Sequence, residues 1–348
     1  MPTLHIAVIP GDGIGPEVID AALPVIERAA SLEDVQLALE MLPYSADHYL
    51  QTGVTLPEDA FRHLRDDVDA ILLGALGDPR VPDNEHARDI LLGLRFRLDL
   101  YINFRPVQLL HPRLTPLAGK HDIDIAIFRE NTEGQYQGFG RAEAEGTADE
   151  KQISEEIHSR KGVHRIIMAA FEWAARRGRS RITLCDKSNA VPFQRIWGRI
   201  FAEIGEQFPE IAREHRYVDA LAMDLVRDPD RYQVIVANNL YGDILSDLGA
   251  GLVGGLGVAA SANLHPGRAG LFEPVHGSAP PLAGKGVANP MATVLTGALL
   301  FESLGHPGAS RRLEDAVRRV LDDGPTTPDI GGSNTTHEVA AALLESVG

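Results

Sequence analysis

The chain has 348 residues, long enough for two domains or one large α/β unit with an ample core. Its 33 basic residues stand against 49 acidic ones, a formal charge of −16 that repels nucleic acid and anionic membrane and admits an anionic small ligand only at a local cluster of arginines. A single cysteine, Cys185, excludes an intramolecular disulfide framework and suits a reducing cytosol.

The opening stretch Met1–Val8 has neither a basic nor a long apolar segment, which predicts a cytoplasmic chain without a signal peptide. Leu4–Ile9 reads as a buried strand that ends in the turn Pro10–Gly15. Pro16 and Glu17 then open a helix, since proline suits the first helical position and an acid suits the positive end of the dipole. Val18, Ile19, Ala22, Val25 and Ile26 make its apolar stripe. A dinucleotide fingerprint would need glycine where Pro16 stands, so a conventional Rossmann site is disfavoured.

Asp69–Ala75 is the next buried strand. The segment from Asp89 to Pro106 is helix-compatible in its first half, which carries Arg95, and strand-like over Tyr101–Phe104, just before Arg105. Ile123–Phe128 is another apolar strand with Arg129 directly after it. Three arginines at element ends either converge on a polyanionic ligand, which they bind bidentately, or scatter over the surface. The stretch 138–162 is charged and weakly patterned, with Ile153 and Ile157 in a polar background, and predicts a solvent-facing arm. Val163–Arg176 is an amphipathic helix, Arg181–Cys185 a strand with Lys187 just past its C-terminal end, Trp197–Phe208 a helix, and Arg216–Val218 a strand leading into Asp219.

Tyr232–Ala237 is a strand that leads through Asn238 and Asn239 to Gly242–Asp247, where Asp243 and Asp247 stand four residues apart. On a helix this spacing stacks both carboxylates on one face, where a hard divalent cation prefers such oxygen ligands. Isolated, the pair reads more readily as one capping and one solvated aspartate, and only its context favours a metal site. The weakly polar run Leu248–Ala262 is too short for a membrane span of about 20 residues. Phe272–Pro290 holds too many glycines and prolines for a helix or a central strand, and a loop of that length in a compact enzyme is more often functional than idle. Met291–Leu304, Arg312–Leu321 and Val339–Val347 are helical, so strands and helices alternate throughout and the class is α/β.

In order, these segments resemble the β-decarboxylating dehydrogenases, the isocitrate/isopropylmalate/tartrate dehydrogenase family. The likeness runs from Ile9 to the C-terminus. It rests on Pro10-Gly-Asp-Gly-Ile-Gly-Pro-Glu17, Leu94-Arg95 with Arg105-Pro106, Arg129-Glu-Asn-Thr-Glu-Gly134, Asp186-Lys-Ser-Asn189, Val218-Asp219, Gly242-Asp-Ile-Leu-Ser-Asp247 and Glu273-Pro-Val-His-Gly-Ser-Ala-Pro280. The resemblance implies a two-domain, non-Rossmann α/β fold with the active site in the interdomain cleft. Residues 1–100 and 254–348 would form the cofactor domain, and 101–253 the substrate, metal and dimerisation domain with its arm.

The implied reaction is the NAD-dependent, divalent-metal-dependent oxidative decarboxylation of a small hydroxy acid, a malate with or without a C3 substituent, to a 2-oxo acid and CO₂. By the same resemblance Arg95, Arg105 and Arg129 clamp the substrate carboxylates, and Asp243, Asp247 and Asp219 hold Mg²⁺ or Mn²⁺. Lys187 relays the hydroxyl proton and Tyr136 protonates the enol carbon. The counterparts of Lys187 and Asp219 act in the other subunit's site, which implies a homodimer with shared active sites. Glu273, His276, Gly277, Ser278, Ala279 and Asn289 fall in the adenosine-binding loop. NAD-dependent members usually carry an aspartate where this chain has Pro281, and the Lys-Tyr pair of NADP-dependent members is also missing, so NAD is favoured and NADP stays open. A turn before Arg95, Leu91 and Leu92 make an apolar wall that disfavours a third carboxylate, although Arg88 and Asp89 lie close by in sequence.

The motifs around Asp99–Val107, Arg129–Gly134 and Ser261–Pro266 lean to the tartrate/D-malate branch, so D-malate/tartrate and 3-isopropylmalate types both stand. The alternatives are an isocitrate, homoisocitrate or specialised 3-substituted malate enzyme. More distant is a non-catalytic regulatory subunit, which would be expected to have lost Tyr136, Lys187 or an aspartate ligand; all are present.

Overall fold

In the computed structural model, which describes residues 2–119 and 121–348, the apolar run Thr3–Gly11 forms strand β1. Its alternate residues enter different cores, Ile6 and Val8 on one face and Ala7 and Ile9 on the other. Burial on both faces is what a parallel sheet covered by helices demands. The same alternation recurs in β5 (Asp124–Glu130), where Ala126 and Phe128 pack opposite Ile125 and Ile127. The other main-sheet strands are β2 (Gln36–Met41), β3 (Ala70–Ala75), β4 (Ile102–Gln108), β8 (Arg181–Asp186), β9 (Ala212–Tyr217), β10 (Val234–Ala237), β11 (Ala260–Leu264) and β12 (Gly270–Pro274).

These ten strands form one sheet in the order β2-β1-β3-β12-β11-β4-β5-β10-β8-β9. The outer groups, β2-β1-β3-β12 and β5-β10-β8-β9, are parallel. They meet through antiparallel pairings at the centre, β12 with β11, β11 with β4, and β4 with β5. The helices Gly15–Leu32, Met291–Ser303, Pro307–Asp323 and Thr336–Ser346 cover one face of the first group, which brings the two chain ends together in one core. Arg160–Arg176 and Arg195–Gly205 cover one face of the second group, and Val218–Arg227 with Asn239–Leu252 the other.

The sequence expectations differ from the structure in four places. The turn-rich Phe272–Pro290 begins as a central strand, because Leu271 and Phe272 are fully buried between β3 and β11. Pro274 is tolerated there as the last residue of β12. The strand expected to run through Val218 stops at Tyr217, and Val218 opens a helix. Strand β2 and the short helices Ala46–Thr52 and Glu58–Asp66 lie where the sequence reading places no element, although the last carries Phe61 and Leu64 at helical spacing and buries both. The 138–162 arm is a hairpin of β6 (Gly140–Glu143) and β7 (Lys151–Ser154), paired only with each other, and its last residues already belong to the Arg160–Arg176 helix. Among the described residues no helix is long and apolar enough to cross a membrane.

Candidate active site

Strands β5, β10 and β8 are parallel neighbours, so their C-terminal ends deliver Arg129, Asn238–Asn239 and Asp186–Lys187 to one edge of the sheet. Asn238 has an extended backbone, and its side chain accepts the Tyr241 N–H at 2.8 Å, which caps the Asn239–Leu252 helix. The helix so started turns Asp243 and Asp247 to the same side. It also closes tightly on β5: a Cβ on Gly242 would lie 2.7 Å from Cβ and Cγ of Arg129, so only glycine fits.

The three sequence-predicted arginines are all buried, with Arg95 6 %, Arg105 7 % and Arg129 1 % exposed. Arg129 donates from Nε and Nη2 to Asn239 Oδ1 at 2.9 and 2.6 Å and from Nη1 to Asp243. Arg105 donates from Nη1 to Ser246 Oγ at 2.8 Å and to Asp247 Oδ1 at 3.0 Å. Tyr136 donates its hydroxyl to Asp243 Oδ2 at 2.8 Å. Arg95 arrives from the Gly93–Arg97 helix and pairs with Glu273 of β12. The Nε–H groups of Arg95 and Arg105 are buried without a partner, so the cluster keeps donor capacity in reserve.

The electrostatics follow from this crowding. Burial raises the Asp243 carboxyl, but Arg129, Arg105 and the Tyr136 hydroxyl outweigh it and hold the group below the usual carboxylate range. Asp247 is pushed up by burial despite Arg105. Burial, reinforced by the bond to Asp243, raises the Tyr136 phenol, and burial lowers Arg105 and Arg129. Cys185, buried beside Asp186, has its thiol pushed well up and is a core residue.

Lys187 and Asp219 stand apart from this cluster. Lys187 Nζ lies 2.5 Å from Asp219 Oδ1, with the side chains 24 % and 68 % exposed. Among the described residues of one chain, no three acidic, histidine or cysteine side chains close on a common point. The chain therefore brings together Arg105, Arg129, Tyr136, Asp243 and Asp247, and separately Lys187 with Asp219.

The Pro10–Glu17 turn and the loop after β12 are packed against each other. Ile14 N–H donates to Ser278 O at 2.8 Å, and a Cβ on Gly13 would come within 1.9 Å of that oxygen. Ala279 adopts φ +40°, Gly277 faces open space, and the buried Nε2 of His276, whose pKa is lowered by burial, has no partner. Asn289 donates to Asp329 Oδ2 at 3.1 Å and accepts the Met291 N–H at 3.0 Å. Glu273 lies elsewhere, held by Arg95 and by Asn263 Nδ2 at 2.9 Å.

The helix before Arg95 widens into a π-turn over Arg88–Leu92, a bulge often found at functional sites. Leu91 packs on the neighbouring core, Leu92 is half-buried outside every core cluster, and exposed Arg88 lies 3.5 Å from Asp89. Sequence reasoning missed two buried features. Asp12 accepts from Ala46 N–H, Gly77 N–H and His86 Nε2 at 2.6, 2.8 and 2.7 Å, a hub hinted at only by its place in the glycine turn. Asn263 links Asn103, Asn131 and Glu273 across the centre of the sheet.

The family described as isocitrate/isopropylmalate dehydrogenase matches residues 5–343. The 3-isopropylmalate dehydrogenase of Streptomyces griseus subsp. griseus is 42 % identical over 348 residues, 99 % of this chain and 99 % of that protein. The D-malate dehydrogenase (decarboxylating) of Escherichia coli K12 is 41 % identical, with 100 % and 99 % covered. Among solved structures, isocitrate dehydrogenase from Methylococcus capsulatus superposes with a TM-score of 0.89 at 39 % identity, covering 99 % of both chains.

Proposed function

The chain belongs to the isocitrate/isopropylmalate dehydrogenase family and is an oxidoreductase, and we propose that it oxidatively decarboxylates a malate with an apolar C3 substituent, of the 3-isopropylmalate type, using NAD⁺ and Mg²⁺ or Mn²⁺. The observation that carries this reading is the gathering of buried arginines, Tyr136 and the Asp243–Asp247 pair on one side of a capped helix. We place the cofactor with residues 1–100 and 254–348 and the acid with 101–253.

Arg95, Arg105 and Arg129 bind and orient the carboxylates of the acid, and their spare N–H donors supply part of that grip. Lys187 accepts the hydroxyl proton. Tyr136, its phenol raised above the ordinary value of 10.0, stays protonated at neutral pH and delivers a proton to the carbon that loses CO₂. The donor chemistry fits a hard cation: Asp243 and Asp247 offer carboxylate oxygens one helical turn apart, with Asp219 as the third ligand. His276, Gly277, Ser278, Ala279 and Asn289 fit an adenosine group, since the unpartnered His276 Nε2 and the open face of Gly277 leave room and a polar atom for it. When bound, the cation supplies positive charge beside the oxygens of the acid and NAD⁺ supplies the hydride acceptor. Pro281 offers neither a carboxylate for ribose hydroxyls nor a cation for a 2′-phosphate, which supports NAD⁺ with a loose grip.

Leu92, which no core claims, and the outward Arg88 support an apolar substituent over a third carboxylate. D-malate is the second reading. It is favoured by the motifs Asp99–Val107 and Ser261–Pro266, whose Asn103, Ser261 and Asn263 form the buried central network. The test follows reduced-nicotinamide absorbance with Mn²⁺, NAD⁺ or NADP⁺ and, separately, 3-isopropylmalate, D-malate, tartrate, isocitrate and homoisocitrate. Turnover of 3-isopropylmalate with NAD⁺ is expected; preference for a tricarboxylate overturns the specificity reading.

We propose further that two copies share their sites. Support comes from the separation of Lys187–Asp219 from the Asp243 cluster and from the exposed Met223, Val226 and Ile244 on the helices Val218–Arg227 and Asn239–Leu252. At low Mg²⁺, Lys187→Met and Asp243→Asn each leave a homodimer with little or no activity. Subunits mixed and re-formed at random regain about a quarter of wild-type activity, because half the dimers then hold one intact site. No recovery on mixing would show that each site is built within one chain.

A further inference from the structure

Gln194 is 1 % exposed, although it lies on the same short turn as Phe193, which is 90 % exposed. Its Oε1 accepts the backbone N–H of Lys187 at 2.8 Å. Its Nε2 donates to Glu156 Oε1 and Oε2 at 3.2 and 3.0 Å. Glu156 Oε1 also accepts from Asn238 Nδ2 at 3.0 Å and lies 3.0 Å from His158 Nε2. Asn238 is the residue that caps the helix carrying Asp243 and Asp247. The Lys187 carbonyl is held as well, accepting from Ala190 and Val191 N–H at 2.9 and 2.8 Å.

One carboxylate thus ties the Lys187 turn to the start of the aspartate helix, and it does so just where the β6–β7 hairpin re-enters the body of the protein. An apolar side chain of similar volume at 194 would avoid burying an amide. The amide instead fixes a backbone N–H through a partner that is itself fixed, which is the arrangement that makes a buried polar network rigid.

We propose that Glu156 and Gln194 are positioning residues that set where Lys187 presents its amine, a role that rests on Lys187 being the proton acceptor. A displacement of about 1 Å in such a group costs on the order of a hundredfold in rate. Gln194→Met fills the space without the bonds to Lys187 and Glu156 or the weaker one that Nε2 donates to the Tyr241 hydroxyl at 3.3 Å, and its kcat is expected to fall by about ten- to a hundredfold while KM for the hydroxy acid stays within about threefold. The primary deuterium isotope effect at the C2 position should rise, because hydride transfer becomes slower relative to release.

The double variant Gln194→Glu with Glu156→Gln exchanges donor and acceptor. The carboxylate introduced at position 194 would still accept from Lys187 N–H. The amide introduced at position 156 would donate to that carboxylate while its own oxygen accepts from Asn238. Recovery of kcat and of the isotope effect in this variant is expected, and a filler role would not produce it. If Gln194→Met does not fold, Gln194→Glu alone is compared with the double variant in its place. Wild-type kcat in the single variant, or a double variant no better than the single, overturns the proposal. Activity retained in Lys187→Met would instead overturn the role of Lys187 on which it rests.

Discussion

Lys187→Met is expected to keep its fold and lose hydroxyl oxidation, with kcat falling by about 10²- to 10⁴-fold, the range that a positioned acid–base group contributes. The fold survives because, among the described residues, the ion pair lost is with Asp219, whose side chain is 68 % exposed and returns to water. An ion pair this open to water adds little to stability, because solvent screens it and ordering the two side chains offsets the gain. The melting temperature should therefore move by no more than about 2–4 °C. Methionine keeps the length and apolar stem of lysine, so the loss reports the amine. A normal rate in this variant would remove Lys187 from the mechanism.

Asp243→Asn is expected to fail in a different way. Asp243 is the half-buried partner of the buried Arg129 and the acceptor of the Tyr136 hydroxyl, so the substitution disturbs packing, charge and chemistry together. Asparagine keeps one acceptor oxygen, and Asn239 still holds Arg129, which limits the loss of stability to about 1–3 kcal/mol. Turnover at low Mg²⁺ should be abolished and partly restored at high Mg²⁺, since one of the two adjacent carboxylates proposed as ligands has lost its charge. Unchanged turnover at low Mg²⁺ would refute the assignment. The stability difference has a defined pH dependence. The folded Asp243 carboxyl is held below its unfolded value of about 3.9, so its contribution is present above that value and fades as pH falls through the folded one. Urea midpoints of the two proteins should therefore converge in acid.

The sequence showed which chemistry was available more readily than how it was assembled. Arg105, Arg129, Lys187, Asp243 and Asp247 were visible because each stands in or just beyond a run whose periodicity marks a strand or helix. Strand β12 was hidden by the glycines and prolines that follow it: five buried residues are too few to outweigh a turn-rich neighbourhood. The Asp12–His86 contact and the Asn103–Asn263–Asn131 network join residues 74 to 160 positions apart, and no local pattern registers such pairing. The Gln194 strut was obscured for another reason. A glutamine beside an exposed phenylalanine in a proline turn looks like surface until Glu156 is found beneath it.

The central placement of β11 and β12 has a consequence for how the molecule is made. Synthesis first lays down β1, β2 and β3, whose inner edge is β3, and then the group from β4 to β10, whose inner edge is β4. Both edges face outward with unsatisfied ladders until residues 260–274 leave the ribosome and pair β12 with β3 and β11 with β4. At ordinary elongation rates the first edge waits for roughly 10–40 s. During that interval the nascent chain presents two open strand edges, the usual template for association with another chain. One late hairpin closes both inner edges at once, so the hazard from these edges lasts into the last quarter of translation and ends in a single folding event.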